Sequence, residues 1–344
     1  MRVGILTSAL GGGGAERQSL IWARTCVERG HEVTAISLWN HAHIAVDRSD
    51  LRLIEIPKHG ASDLARIAWR LRKLERELDV LVAFEPYLAF CCALAHLRIP
   101  WMLVTGKVPN QLAVDSGIPM RAYRWAFDRA TLASAPSRGM IDSHLQTGLR
   151  PNKPWALIPN VTDPAAFVER DGPGSGILFV GRLATVKNPV LAIEAAAAVP
   201  APLTLLGEGE LQGEVEAALA ARGEGPAVEI LPFSGQPWSA YASHRVLVVS
   251  SHYESFGNVI VEALAAGTPV VSVDCDFGPR EIIGEATYST LTESSPEAIA
   301  GGLREVLERP YSEAEATECH EIASRYRPEA VSPLIVEAVE GLRN

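Results

Sequence analysis

Glu254 and Glu262 stand eight residues apart around Ser255-Phe256-Gly257-Asn258, and an apolar run over 259–266 closes on Gly267 before the strand-like 268–273. Carboxylates on either side of small residues at a helix start can hold two polar ends of one ligand. The backbone amides near Phe256, Gly257 and Asn258 would face an anion between them. If the segment were helical throughout, a rise of ~1.5 Å per residue would separate the carboxylates by roughly 12 Å. A carboxylate pair acting on one carbon stands only ~5–9 Å apart, so the expected role is a clamp and not paired acid–base work. The alternative, two solvated glutamates on a surface helix, fits poorly with Glu262 in Val-Ile-Val-Glu-Ala-Leu, where an unpaired buried carboxylate is costly.

Gly181-Arg182-Leu183 ends a strand-like run, and Lys187 follows five residues after Arg182. A guanidinium there can grip phosphate oxygens bidentately, and the lysine adds a point charge. Either alone is more often a surface residue; together, in a half with few basic residues, they point to a diphosphate. Leu205-Leu206-Gly207-Glu208-Gly209 reads equally as a tight turn or a ligand contact, and Phe233, after the strand-like 228–231, could flank a nucleobase. Gly11–Gly14 follow the first strand and precede a helix, so Gly12, Gly13 and Gly14 could approach a phosphate or sugar closely. Read as G-x-G-x-x-G, that loop has Glu16 at its sixth position, and no acidic residue caps the second strand, which argues against nicotinamide or flavin binding. Asp274-Cys275-Asp276 has the spacing of a carboxylate pair for Mg²⁺ or Mn²⁺. It accompanies a site already supplied with cations, so no metal is expected, and Cys275 is read as inert filler.

These residues need a scaffold. The chain has 344 residues, 47% of them hydrophobic, and suits two domains. Its five scattered cysteines suit reduced thiols better than a disulfide or zinc framework. No signal peptide is read at the N-terminus, and no apolar run reaches the ~18–20 residues of a membrane span. The net charge of −10 divides into +5 over 1–170 and −15 over 171–344, so nucleic acid is not an expected partner. Strand-like runs at 2–7, 31–38, 53–56, 79–84, 101–105, 131–135 and 155–158 alternate with amphipathic segments, a pattern of parallel strands with crossover helices. Asp171-Gly172-Pro173-Gly174-Ser175-Gly176 interrupts it as the best linker candidate. The alternation restarts at 177–180 and runs to 269–273; beyond Thr292 the chain reads as helices with breaks near Pro310 and Pro328. The expectation is an α/β protein of two doubly wound Rossmann-like domains facing across a cleft: 1–170, 171–325, and a last helix over 326–344 returning to the first.

In this order, the E-x7-E segment with Ala-Gly-Thr-Pro-Val-Val, Gly-Arg-Leu…Lys at 181–187, Gly-Glu-Gly at 207–209 and Ile158-Pro159-Asn160 resemble the family 4 retaining glycosyltransferases of the GT-B fold. The resemblance covers most of the chain and is strongest over 181–281. It implies transfer of a sugar from a nucleotide diphosphate sugar with retention, and no cofactor. By resemblance Arg182 and Lys187 neutralise the donor diphosphate, Glu262 holds ribose hydroxyls and Glu254 contacts the donor sugar. Phe256, Gly257 and Asn258 lend amides nearby, and Glu281 is a further glutamate beside the sugar. The ending Gly278-Pro279-Arg280-Glu281-Ile282-Ile283 is similar to a subgroup building bacterial surface and lipid-linked glycans, often from UDP-N-acetylhexosamines or UDP-galactose. One departure stands out: a family histidine expected after the fifth strand is absent from 104–110, where Lys107 is the candidate replacement. Either Lys187→Ala or Glu254→Ala is expected to leave the fold intact and cut turnover.

For the acceptor, a glycan, glycolipid or polyprenyl-linked sugar is expected. The segment 64–76 (LARIAWRLRKLER) and the similar 121–127 are basic and amphipathic, fit for an anionic membrane surface or for a solvated crossover face. The expected location is the cytoplasm, with the inner face of the cell membrane as a candidate contact. Two other readings share these residues: a UDP-sugar 2-epimerase, told apart by consuming no donor, or a phosphorylase, told apart by its need for inorganic phosphate; and a non-catalytic sugar-nucleotide-binding subunit.

Overall fold

The structure is a computed structural model that describes residues 1–9, 14–38, 51–57, 63–221, 225–233 and 237–343. The chain forms two compact units, Met1–Val161 with Glu329–Asn344, and Thr162–Pro328.

In unit 1 the chain runs β1 (Arg2–Thr7), α1 (Gly14–Glu28), β2 (Glu32–Ser37), β3 (Arg52–Glu55), α2 (Leu64–Leu74), β4 (Val80–Phe84), α3 (Pro86–Leu94), β5 (Trp101–Val104), α4 (Pro109–Ser116), α5 (Met120–Phe127), β6 (Leu132–Ala135), α6 (Arg138–Gln146) and β7 (Ala156–Leu157). The strands form one parallel sheet in the order β3-β2-β1-β4-β5-β6-β7. Helices on both faces bury the central strands, which is why these read as continuous apolar runs. One face packs Ile67, Leu71, Leu88, Tyr123 and Phe127 from α2, α3 and α5. The other packs Trp22 and Cys26 of α1 against Val82 and Phe84.

Unit 2 repeats the plan with β8 (Ile177–Val180), α7 (Pro189–Ala197), β9 (Leu203–Leu206), α8 (Gln212–Ala221), β10 (Val228–Leu231), α9 (Trp238–Ser243), β11 (Val246–Val249), β12 (Tyr253–Glu254), α10 (Asn258–Ala265), β13 (Val270–Val273), β14 (Asp276–Phe277), α11 (Gly278–Ile283), β15 (Thr290–Thr292), α12 (Pro296–Glu308) and α13 (Glu313–Ser324). Its six-stranded sheet has the order β10-β9-β8-β11-β13-β15, with β12 and β14 paired apart from it. A last helix, α14 (Pro328–Glu340), begins on the proline read as a break, the first helical turn being where proline's missing N–H costs nothing. Its Val331, Ile335 and Val339 complete the α1 face of unit 1.

The units divide between Val161 and Thr162, nearer the N-terminus than the boundary expected at 170. Residues 162–170 pack with unit 2: Ala166 joins its core, and Arg170 donates to the carbonyls of Gly267 (3.1 Å) and His244 (2.8 Å). The boundary composition marks is therefore a turn region inside unit 2, with Gly172, Gly174 and Gly176 all at positive φ. Unit 1 ends instead on Val161, whose backbone N–H and carbonyl are both satisfied by the buried Gln18 amide (2.9 and 2.8 Å).

One buried histidine gives unit 1 a pH signature. Burial drives the pKa of His144 down to about 4, opposed in part by its Nδ1 contact to the Met140 carbonyl at 2.7 Å. The ring lies against Phe127 and Trp155, and its Nε2 has no partner among the described residues. The unfolded chain takes up this proton near pH 6.5, before the folded chain does, so stability falls as pH drops from 6.5 towards 4. The loss reaches on the order of 3 kcal/mol by pH 4. Urea midpoints from pH 7.5 to 4.5 should show this slope in the wild type and a flatter one in His144→Phe; equal slopes would contradict it.

Candidate active site

The site residues of unit 2 sit on loops leaving the carboxyl ends of its strands. At the end of β8, Gly181 (φ 157) donates to the Leu206 carbonyl, and Leu183 exchanges bonds with the following loop through Glu208 and Leu211. The approach is so close that a Cβ on Gly207 would lie 1.9 Å from the Gly181 carbonyl oxygen, and one on Gly209 2.4 Å from that of Leu183. The Gly-Glu-Gly segment is thus required by packing whether or not it touches a ligand. It fixes the loop carrying Arg182, which is exposed and has no acidic partner among the described residues.

A single 3₁₀ turn, Thr185–Lys187, follows. Ser250 Oγ, at the end of β11, bonds the carbonyls of Lys187 (3.0 Å) and Asn188 (2.8 Å), and His252 N–H donates to Val186. With its backbone held, Lys187 sends its side chain along Gly181 to Glu254, with Nζ 2.5 Å from Oε1. Ser251 Oγ donates to the same oxygen at 2.7 Å. Glu254 is only 7% exposed. A buried carboxylate needs such partners, because desolvation otherwise disfavours its charge. Lys187→Ala would therefore strand a buried charge, which revises the expectation that this substitution spares the fold.

Glu254 lies in β12, not on a helix, so the separation of roughly 12 Å that a continuous helix would give does not apply. The chain turns through Ser255 and the buried Phe256 to Gly257 (φ 104), and α10 begins at Asn258. Beside it β12 pairs with β14, matching Glu254 to Phe277. Phe277 adopts φ 84, and a Cβ on Gly278 would lie 1.7 Å from the Phe256 carbonyl oxygen. Gly278→Ala would push the two loops apart and is expected to cost about 2 kcal/mol or more, with turnover falling alongside. A wild-type melting temperature for that variant would contradict this packing.

Glu262 lies one turn inside α10, half-buried, and its Oε2 accepts from the Tyr241 hydroxyl at 3.0 Å. Cys275 lies in the field of Glu254; burial first, then that carboxylate, push its thiol up to about 12, so it stays protonated. Asp274 is ion-paired with Arg280. Glu281 is exposed on α11, and Phe233 is exposed beyond β10. Gly14 opens α1 in unit 1, while Gly12 and Gly13 lie outside the described residues. Lys107 is exposed, its N–H on Thr105 Oγ1 at 3.1 Å.

Sequence reasoning passed over Ser250, Ser251 and Tyr241, whose roles depend on loops meeting in space. It also passed over Glu85, which ends β4 at φ 84, a region bulky residues avoid, with its carboxylate on Ser8 Oγ at 2.8 Å. Non-glycine residues at positive φ leave no mark in composition.

A family model described as "Glycosyl transferases group 1" matches residues 168–325, and one described as "Glycosyl transferase 4-like domain" matches 13–161. The chain is 24% identical over 330 residues to the Campylobacter jejuni N-acetylgalactosamine-N,N'-diacetylbacillosaminyl-diphospho-undecaprenol 4-alpha-N-acetylgalactosaminyltransferase, covering 89% of this chain and 90% of that protein. It is 30% identical over 210 residues to a GDP-mannose-dependent alpha-mannosyltransferase of Mycobacterium tuberculosis, covering 56% of this chain and 53% of that one. Among solved structures, Anabaena HepE in complex with UDP superposes with a TM-score of 0.86 at 20% identity, over 99% of this chain and 100% of that chain. With two parallel-sheet units, each matched by its own model, the chain belongs to the family 4 glycosyltransferases of the GT-B fold.

Proposed function

We propose that this glycosyltransferase moves a hexose or N-acetylhexosamine from a UDP-sugar to a glycan, glycolipid or polyprenyl-linked acceptor, with retention of anomeric configuration. The observation that carries the reading is the Lys187–Glu254 pair between the β8 loop and the start of α10, with the exposed Arg182, without an acidic partner among the described residues, on the same loop. When the sugar–phosphate bond breaks, negative charge grows on the departing diphosphate. Lys187 and the amides before α10 are fixed in advance to receive it, with Arg182 carried on the same held loop, and such preorganisation is where these sites gain most of their rate. These cations do the work a divalent metal would do, so none is assigned. Among the described residues, both side-chain contacts of Glu254 fall on Oε1, which leaves Oε2 for donor-sugar hydroxyls. The proposed route is same-face attack by the acceptor, with a donor phosphate oxygen taking its proton. Glu262 would hold the ribose, Glu281 the sugar side, and the Gly12–Gly14 loop a phosphate or the acceptor.

The UDP preference draws on the UDP bound to Anabaena HepE; the lipid-linked acceptor and the α product draw on the name of the Campylobacter relative. In unit 1 the outer faces of α2 and α5 add a membrane-facing argument. Trp69 (53% exposed), Arg70, Lys73, Arg121 and Arg124 point outward, while Ile67, Leu71, Tyr123 and Phe127 face the core. Of the acids near α2, Glu77 and Asp79 are engaged by Arg52 and Arg2, while Asp63 and Glu75 pair with Arg66 and Arg72 of α2 itself; Arg70 and Lys73 are the cations on its outer face. Among the described residues, no helix is long and apolar enough to cross a membrane. Contact by this face, at the cytoplasmic side, is the proposed mode. The protein should sediment with phosphatidylglycerol vesicles at low salt and not with neutral ones, and Arg70→Glu/Lys73→Glu should abolish it; no binding at low salt would remove the membrane contact.

A panel of UDP-, GDP- and ADP-sugars, assayed for nucleoside diphosphate release, tests the activity. Release from a UDP-hexose or UDP-N-acetylhexosamine is expected; donor turnover with no release of nucleoside diphosphate would overturn the transferase reading.

A further inference from the structure

We infer that Tyr241 is a positioning residue for nucleotide recognition, fixing the Glu262 carboxylate so that it distinguishes a ribose diol from a deoxyribose. The inference rests on the proposed ribose contact of Glu262 and deepens it.

The Tyr241 ring is fully buried on α9, packed with Trp238, Ile260 and Val261. Such a ring cannot turn its hydroxyl elsewhere without disturbing the core. The hydroxyl donates to Glu262 Oε2 at 3.0 Å, a charge-assisted bond of the stronger kind. The backbone behind it is held as well. The Tyr241 carbonyl accepts from Thr268 Oγ1 at 2.8 Å, and that oxygen in turn accepts from Arg170 Nη1 at 2.6 Å. Arg170 also holds the carbonyls of His244 and Gly267, at the end of α9 and just before β13. A chain of bonds thus runs Arg170, Thr268, Tyr241, Glu262, with the Thr268–Tyr241 link buried and the links at its two ends half-buried.

A glutamate on a helix surface samples several rotamers, and ordering it on binding costs free energy. Here the ordering is done before the ligand arrives. A carboxylate held in one plane can accept from two neighbouring hydroxyls at once, whereas a mobile one gains little from the second. Tyr241 therefore acts on selectivity for the diol, and only weakly on attachment of base and diphosphate.

The test is calorimetric titration of the full chain with UDP and GDP and with their 2′-deoxy and 3′-deoxy forms, for the wild type, Tyr241→Phe and Glu262→Gln. The phenylalanine keeps the ring and removes one oxygen, so packing is preserved, and thermal melts confirm folding. The wild type should bind the ribonucleotide of its preferred base roughly tenfold tighter than either deoxy form, the scale of a hydrogen bond to a charged group. Glu262→Gln should bring that ratio close to one. Tyr241→Phe should reduce it several-fold with deoxynucleotide affinity little changed, and the double variant should show no further loss. If Tyr241→Phe keeps the wild-type ratio, or weakens all nucleotides equally, while Glu262→Gln collapses it, Tyr241 only packs and the ribose reading stands. If Glu262→Gln keeps the ratio, or the wild type shows none, the ribose reading falls and this inference with it.

Discussion

Turnover in Lys187→Ala is expected to fall by roughly 10²–10³-fold, the scale seen when one preorganised charge-stabilising donor is removed. Stability should fall with it, by about 1–3 kcal/mol, because the substitution leaves Glu254 buried and without its cation. Ser251 still donates to Oε1, and this moderates the loss. The two effects can be separated. In Lys187→Ala/Glu254→Gln the buried group is neutral, so the urea midpoint should recover most of its value while turnover stays low. Donor consumption and urea melts on the wild type and the two variants check this. Recovery of turnover in the double variant would mean that Lys187 serves only to neutralise Glu254.

Arg182→Ala presents the opposite pattern. Its side chain is exposed and meets no acidic group among the described residues, so its removal should change stability by less than about 0.5 kcal/mol. Turnover should nonetheless drop by roughly 10²-fold if the guanidinium receives charge from the leaving diphosphate. Lys should not substitute fully, since it lacks the planar bidentate fork. Loss of stability without loss of rate would reverse the assignment and make Arg182 a structural residue.

The contrast between these residues shows what the sequence held and what it did not. Strands such as 177–180 and 246–249 were legible because parallel strands buried on both faces are short apolar runs bounded by turn residues. Arg182, Lys187, Glu254 and Glu262 were legible as types at strand and helix ends. Their grouping was not: Lys187 reaches Glu254 across 67 positions, and Ser250 fixes the lysine's backbone from another strand. The domain boundary misled for a physical reason. Glycines at 172, 174 and 176 supply positive φ for turns within unit 2, while Val161, where unit 1 ends, is held by Gln18, 143 positions away. The short β12–β14 pair was invisible, since two-residue strands carry no periodicity, yet it brings Glu254 beside the loop leading to Glu281.

The central claim is that the β8 loop and the start of α10 hold a diphosphate. Titrating wild type and Lys187→Ala/Glu254→Gln with uridine, UMP and UDP tests it most directly, because the variant is expected to keep its fold while losing the lysine that would meet the phosphates. Affinity in the wild type should rise at each added phosphate, with UDP far above uridine, and the variant should lose most of that rise while binding uridine as before. Equal affinity for uridine and UDP in the wild type, or an undiminished rise in the variant, would contradict the account.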